Sequence, residues 1–453
     1  MHTKSKDSSY VWINQHYKLR ILSINMLKWV GLWTLESNTS SFLKCIYYIY
    51  NKIAVSAMII FAITLFADIC MMLDDLSIVT DDGCIFAGIT VVLFNVINCQ
   101  FTRDRIARLS YETLNSCEEL CQLSEVNFTE KLKYYLWRDK IPFYSFCSLG
   151  YLLVIALIFV TPTEDGSLPI RARYPFDIKT SPGHEIGFAV EACSIFFGVT
   201  AILAIDTIIV SICNLILLQL EILNMNFQNC STTEIKCFID KNDDNVIEKD
   251  RSIMIQKRKS RYRFEELFKQ YIQHHQRLVT MIDDLNDLFN SSMLVQMFSS
   301  TSMICLTGFQ AIVVYYKNDD CIVTIKRLFR RKFNVNRNNP VTSGHAIKTW
   351  IKNFEETGSV SGQDSNFWKY SIYLGAAVSQ LLYICWIGNE MITHSSSLAE
   401  AQWLSQWHDQ PFDRTANLLI FSSMFSQKPL RLKAGKFYTL SLETFIAFLA
   451  INF

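Results

Sequence analysis

Near-continuous apolar stretches of about the length a bilayer's hydrocarbon core requires recur along this chain. They run Ile53 to Leu73, Cys84 to Phe101, Pro142 to Pro162, Ile186 to Leu223, Met293 to Tyr315 and Tyr370 to Met391. The fourth is longer than one crossing needs, so its helix is expected to project beyond the membrane. A final stretch, Ala434 to Phe453, is interrupted by polar residues. One such stretch alone also suits a buried helix of a soluble protein; a succession of them does not. The pattern predicts an all-α membrane protein, a seven-transmembrane helix bundle.

The polar segments between these stretches orient the bundle. Lys18, Arg20, Lys28, Lys44 and Lys52 precede the first span, whereas Asp74 to Gly83 holds four aspartates and no basic residue. Arg103, Arg105, Arg108, Lys131, Lys133 and Arg138 follow the second span, and Lys236 to Lys269 is again basic. The alternation predicts a multi-pass plasma-membrane protein with a cytoplasmic N-terminus, the inverse of a G-protein-coupled receptor. Four regions follow: a cytoplasmic segment at 1–52, spans one to five with their loops at 53–315, an inserted basic segment at 316–365, and 366–453. The last region carries span six and the interrupted final stretch.

Composition agrees with spans joined by substantial polar loops. Half of the 453 residues are hydrophobic and 19% are charged, with a formal net charge of +1. The fourteen cysteines are scattered, many inside apolar runs, where they act as small hydrophobes. No pair has zinc or redox spacing. Asp240 to Glu248 resembles a calcium loop only superficially. Asn245 stands at the tight-turn position and Arg251 where a bidentate carboxylate is required. No phosphate loop, nucleophile elbow or metalloprotease motif is present, so neither an enzyme, a cofactor nor a metal site is expected. Asp68, Glu191 and Asp206 lie in or near apolar spans. Intramembrane charge is costly and points to function, but for Asp206 a polar contact between helices fits equally well.

Polar motifs recur between and within the spans: Ser379-Gln380-Leu381, Tyr383 to Glu390, Ala399-Glu400-Ala401, Trp407, Pro411 and Gln427 to Leu432. Upstream stand Tyr174 to Asp177, Gln219 to Leu223, His274-His275-Gln276 and Gly308-Phe309-Gln310. Together these motifs resemble the insect odorant receptor family. The resemblance implies an odorant-binding subunit of a heteromeric ligand-gated cation channel, assembled with a common co-receptor into a tetramer in olfactory neuron dendrites. It implies a volatile ligand in a pocket among spans two, three, four and six. Phe86, Phe94, Phe159, Phe196, Tyr370 and Tyr373 are the expected aromatic contacts, since a small neutral odorant needs an apolar pocket with few polar groups. For 366–453 the resemblance implies span six, a cytoplasmic anchor helix and a partial pore helix, with pore or anchor roles for Glu390, Pro429, Arg431, Ser441, Glu443 and Phe445. Besides ligand and co-receptor, membrane lipid is the expected partner.

Two departures from the family pattern stand out. Between spans five and six lies Lys326 to Phe333, then Trp350 to Val360, apolar and basic residues alternating at helical spacing. This resembles the helix-turn-helix segment of transposon-derived proteins. Such a unit suggests phosphate-backbone binding, but the orientation places it outside the cell, so no nucleic-acid partner is expected. The family's last helix also continues beyond the point matching Phe453. From Ala434 an α-helix reaches about 30 Å at most, which implies a truncated pore helix. The expectation divides between a working receptor subunit and a degenerate, non-conducting product. A nucleic-acid-binding protein acting through the insert is a distant third.

Overall fold

In hydrocarbon every backbone polar group must be satisfied within the chain, which favours long uninterrupted helices. The computed structural model describes residues 21–33, 35, 39–73, 76–124, 126–160, 168–230, 246–317, 363–405, 407 and 412–452. At 76–78, 160, 246–262, 309–317, 363–371, 412–415 and 451–452 it describes the backbone alone. The helices are α1 (Ser41–Met71), α2 (Leu76–Leu123), α3 (Thr129–Ile155), α4 (Gly183–Gln228), α5 (Val246–Lys317) and α6 (Gln363–Trp403). A shorter α7 (Phe412–Ser426) and an antiparallel ribbon of β1 (Lys433–Ala434) and β2 (Tyr438–Thr439) lead into α8 (Leu442–Asn452). Among the described residues, five helices are long and apolar enough to cross a membrane: α1, α2, α3, α4 and α6. The inserted segment lies, from 318 to 362, outside the described residues.

Helix α4 is the hub. It packs against α1, α2, α3, α5 and α6, and 72% of its most apolar window is buried within the protein, against 17% for that of α3. Its sequence permits this because it is apolar on every side, with small residues Ser194, Gly198, Ala201 and Ala204 admitting close neighbours. At 46 residues it extends about 69 Å, roughly twice the hydrocarbon thickness, so it does project as its length requires. The outward sides of the peripheral helices are greasy: Ile49, Ile53, Ile60, Ile63 and Phe66 of α1 are all exposed. Such a surface suits lipid and not water.

Polar side chains stitch the helices together. Asn98 donates to the Leu288 carbonyl and to Ser292, each at 2.9 Å. Asn224 reaches the His394 carbonyl at 3.1 Å and Ser397 at 3.0 Å, and Gln219 reaches the Thr113 carbonyl at 3.3 Å. Each bond answers a group that is costly to leave unpaired away from water.

Three local expectations change. The acidic stretch at 74–83 is not a loop beyond Asp75: α2 begins at Leu76, so Asp81 and Asp82 lie within it. The basic segment 236–269 is helical from Val246 onward. The final stretch is helical only from Leu442, and its start is a paired ribbon, Lys433 opposite Thr439 and Ala434 opposite Tyr438, turning through Gly435 at a φ of 65°. That backbone region favours glycine.

The ribbon is clamped by one side chain. Asn286 of α5, which is buried, accepts from the Lys433 amide at 2.9 Å and donates to the Arg431 carbonyl at 3.0 Å. Asn286→Leu will orphan both backbone groups, at about 1–3 kcal/mol each. The thermal midpoint of the purified protein is expected to fall, whereas substitution of exposed Asp104 will leave it unchanged.

His274 and His275 of α5 are also buried. Burial, then the charge of Arg277 and His275, lowers the pKa of His274 from 6.5 to about 3; burial lowers that of His275 to about 4. Both are therefore neutral when folded, and the unfolded chain binds more protons below pH 6.5. The stability they confer is complete above that pH and fades on acidification toward the folded values, on the order of 1 kcal/mol per pH unit for each histidine. Thermal midpoints measured from pH 7 down to 5 should fall, with a shallower slope in His274→Phe.

Candidate functional site

Between α2, α3, α4, α5 and α6 lies a cavity of about 260 Å³. Its wall is predominantly aliphatic and aromatic, with Val92, Phe143, Phe146, Leu153, Ile202 and Met303 among its residues. Space arises where the helices present small side chains. A Cβ built on Gly88 would meet nothing within 4 Å, and one on Gly198 would only touch Val92 at 3.4 Å. Among the described residues no Lys, Arg or His lines it. A small, low-polarity molecule is the guest such a space suits.

Polar groups gather on one side. Asp206 of α4 faces the cavity and accepts from Gln296 of α5 at 3.2 and 3.4 Å, and from Gln380 of α6. Ser299 of α5 donates instead to the Ala87 carbonyl of α2 at 2.9 Å. Asp139 also lines the cavity, where Asn214 of α4 donates to it.

Beside Asp139, sequence chemistry explains a node. Pro142 lies inside α3 and has no N–H, so the carbonyl four residues earlier, that of Arg138, loses its helical partner. The Tyr383 hydroxyl of α6 donates to that carbonyl at 3.3 Å. The Arg138 side chain, 3% exposed, pairs with Glu390 of α6. Its guanidinium carbon stands 4.6 Å from the centre of the Trp386 ring and 5.5 Å from that of Tyr135. Among the described residues Arg138 Nε and Nη2 have no hydrogen-bond acceptor, and the aromatic faces stand in for one. Half a turn beyond Trp386, Gly388 lets the Leu440 carbonyl approach so closely that a Cβ would stand 2.2 Å from its oxygen. Helix α6 thus touches the cavity with one part and the approach to α8 with another.

At the opposite end of the bundle the segment 168–182 folds over the helices. Glu191 accepts from the Ile170 amide at 3.1 Å and the Tyr174 hydroxyl at 3.4 Å; Asp68 pairs with Arg171 at 3.0 Å. Burial, then the Glu191 charge, pushes the Tyr174 phenol up, keeping it a donor. Two of the carboxylates flagged in the sequence therefore hold this loop, while the third faces the cavity.

Of the aromatic contacts expected from sequence, Tyr373 lines the cavity. Phe86 packs on Phe66, and Phe196 on Tyr151 and Phe197. Phe94, Phe159 and Phe196 are 37%, 75% and 44% exposed on the outside of the bundle. The side chain of Tyr370 lies outside the described residues. Phe143 and Phe146, which no motif singles out, take the aromatic positions at the cavity wall. Among the pore or anchor residues, Glu390 pairs with Arg138, Arg431 is held by Asn286, and Pro429 precedes Leu430, whose amide donates to Ser395 at 2.9 Å. Ser441 caps α8 by accepting from the Thr444 amide at 3.2 Å. Glu443 lies in the first turn and Phe445 is buried. Among the described residues no cluster of His, Cys, Asp or Glu could hold a metal.

A family model described as 7tm Odorant receptor matches residues 75–325 and 359–452. One described as a Helix-turn-helix domain matches 309–361, across the gap in the first. Odorant receptor 13a of Drosophila melanogaster is 27% identical over 197 residues, 41% of this chain and 36% of that protein. The odorant receptor coreceptor of the same species is 22% identical over 181 residues, 40% and 28% of the two chains. The match thus spans well under two thirds of either relative. The structure of the insect olfactory receptor OR5 from Machilis hrabei superposes with a TM-score of 0.69 over 97% of both chains at 14% identity. Its complex with eugenol gives 0.67 over the same shares at 13%. The likeness in structure establishes a shared fold.

Proposed function

The chain belongs to the 7tm odorant receptor family, and from that premise we propose that it is the ligand-binding subunit of an odorant-gated cation channel. It is a multi-pass membrane receptor, and its family is one of receptors rather than enzymes. The observation that carries the finer reading is the apolar cavity between the helices. A volatile ligand there contacts Tyr373, Phe143 and Phe146, and binding more tightly to the open arrangement biases the channel toward it. Helix α6 supplies the mechanical link, since it contacts both the cavity and the Leu440 backbone leading to α8. In this reading α8 lines the pore, and Glu390, Pro429, Arg431, Ser441, Glu443 and Phe445 hold its base.

Assembly with a co-receptor subunit is supported by the exposed Trp403 at the end of α6, Leu404 just after it, and Ile420, Phe421, Met424 and Phe425 on α7. An apolar patch at that end of the molecule suits a subunit interface. The distribution of basic residues supports a cytoplasmic N-terminus. Co-expression with an odorant receptor co-receptor tests the proposal: odorant-evoked cation current is expected. Its absence across a broad panel, with both chains at the cell surface, overturns it.

A second reading has its own support. The Helix-turn-helix match falls where the receptor match is interrupted, as in a receptor-like product disrupted by acquired sequence. Sequencing transcripts across 314–365 distinguishes the two: loss of the segment from antennal transcripts favours the intact receptor, and its uniform presence together with silence in the current assay favours the disrupted one.

A further inference from the structure

We propose that this cavity selects small amines, seating a ligand ammonium on the Asp206 carboxylate. The inference rests on the cavity being the ligand site and names the class of molecule that it prefers. Asp206 sits in the length of α4 and lines the cavity. Both of its polar partners, Gln296 and Gln380, are neutral amides. A carboxylate offers about four acceptor positions; the two amides occupy them incompletely and bring no charge. Among the described residues no cationic side chain lines the cavity. An anion among apolar walls without a counter-charge is expensive, and a ligand that supplies the positive charge relieves that cost.

The rest of the wall sets the shape of such a ligand. Val92, Leu153, Ile202 and Phe146 form an apolar sleeve for an alkyl or aryl body. The volume of about 260 Å³ lies just below that of typical drug-sized sites, so the body is short. The second lining carboxylate, Asp139, is already engaged by Asn214, and it reinforces the preference by repelling anions. A carboxylic acid is therefore excluded, and an alcohol binds without the charge-assisted bond.

The competing account is a polar staple joining α4, α5 and α6, with no ligand role. It makes a different prediction. The test measures binding of 2-phenylethylamine, 2-phenylethanol and phenylacetic acid to the purified full chain in detergent, for wild type, Asp206→Asn and Gly88→Phe. The proposal expects wild type to bind the amine about 10- to 100-fold more tightly than the alcohol, with the acid weakest. Asp206→Asn, which keeps shape and amide contacts, is expected to remove that preference while alcohol binding persists.

An unchanged amine preference in Asp206→Asn overturns the proposal, as does equal loss of amine and alcohol binding, the mark of a staple. Wild type that fails to prefer the amine, or binds none of the three at millimolar concentration, overturns it without reliance on any variant. Gly88→Phe separates the two levels. If it abolishes binding of all probes while Asp206→Asn changes nothing, the cavity stands and the amine preference falls. If it leaves all binding intact, the cavity itself is not the ligand site.

Discussion

Gly88→Phe will sharply weaken odorant-evoked current while leaving the receptor folded and at the cell surface. The expectation follows from the local geometry. A side chain begun at Gly88 meets no atom within 4 Å, although the residue lines the cavity. A benzyl group placed there occupies open space that a ligand otherwise fills, so it excludes the ligand without overpacking the α2–α4 contact. Gly150 is the contrast. Its Cβ would stand 2.9 Å from Leu203 Cδ1 and 3.1 Å from Val199 Cγ1, so Gly150→Phe forces α3 and α4 apart, an overpacking cost of about 1–3 kcal/mol or more. The prediction is a loss of response of at least about tenfold in half-maximal concentration for Gly88→Phe, with normal surface labelling, and reduced surface labelling for Gly150→Phe. Wild-type dose–response curves from surface-expressed Gly88→Phe would place the ligand elsewhere.

Arg138→Met will strongly destabilise the bundle. Arg138 is 3% exposed, and its partner Glu390 is left with an uncompensated charge when the guanidinium is removed. Breaking a buried pair from one side costs about 3–5 kcal/mol, whereas replacing both partners with apolar residues is often nearly neutral. Arg138→Met with Glu390→Met is therefore expected to recover most of the thermal midpoint lost in the single variant. Additive losses would instead mean that the two residues act separately. Tyr383→Phe supplies an independent probe of the same node. It orphans the Arg138 carbonyl that Pro142 has already deprived of a helical partner, at about 1–3 kcal/mol. Because Tyr383 also lines the cavity and α6 continues to Gly388 and Leu440, these variants are expected to shift ligand sensitivity along with stability.

The sequence by itself determined the order of the apolar helices α1 to α4 and α6, the excess length of α4 and the likeness of the motifs to one receptor family. Those properties are local. A run of apolar residues satisfies its own backbone as a helix whatever surrounds it, and Pro142 forfeits a helical hydrogen bond wherever α3 is placed. The structure decided which side of each helix faces inward. In a soluble helix the polar side marks the solvent, but here lipid and interior are equally apolar, so Phe159 and Phe196 look the same in sequence as Phe143 and Phe146. The first pair lies on the outside and the second at the cavity. Polar side chains within spans were legible as unusual, yet their partners were not. Gln296 and Gln380 stand 90 and 174 residues from Asp206 along the chain. Only the packing of α4 against both α5 and α6 turns one costly carboxylate into the polar centre of a cavity.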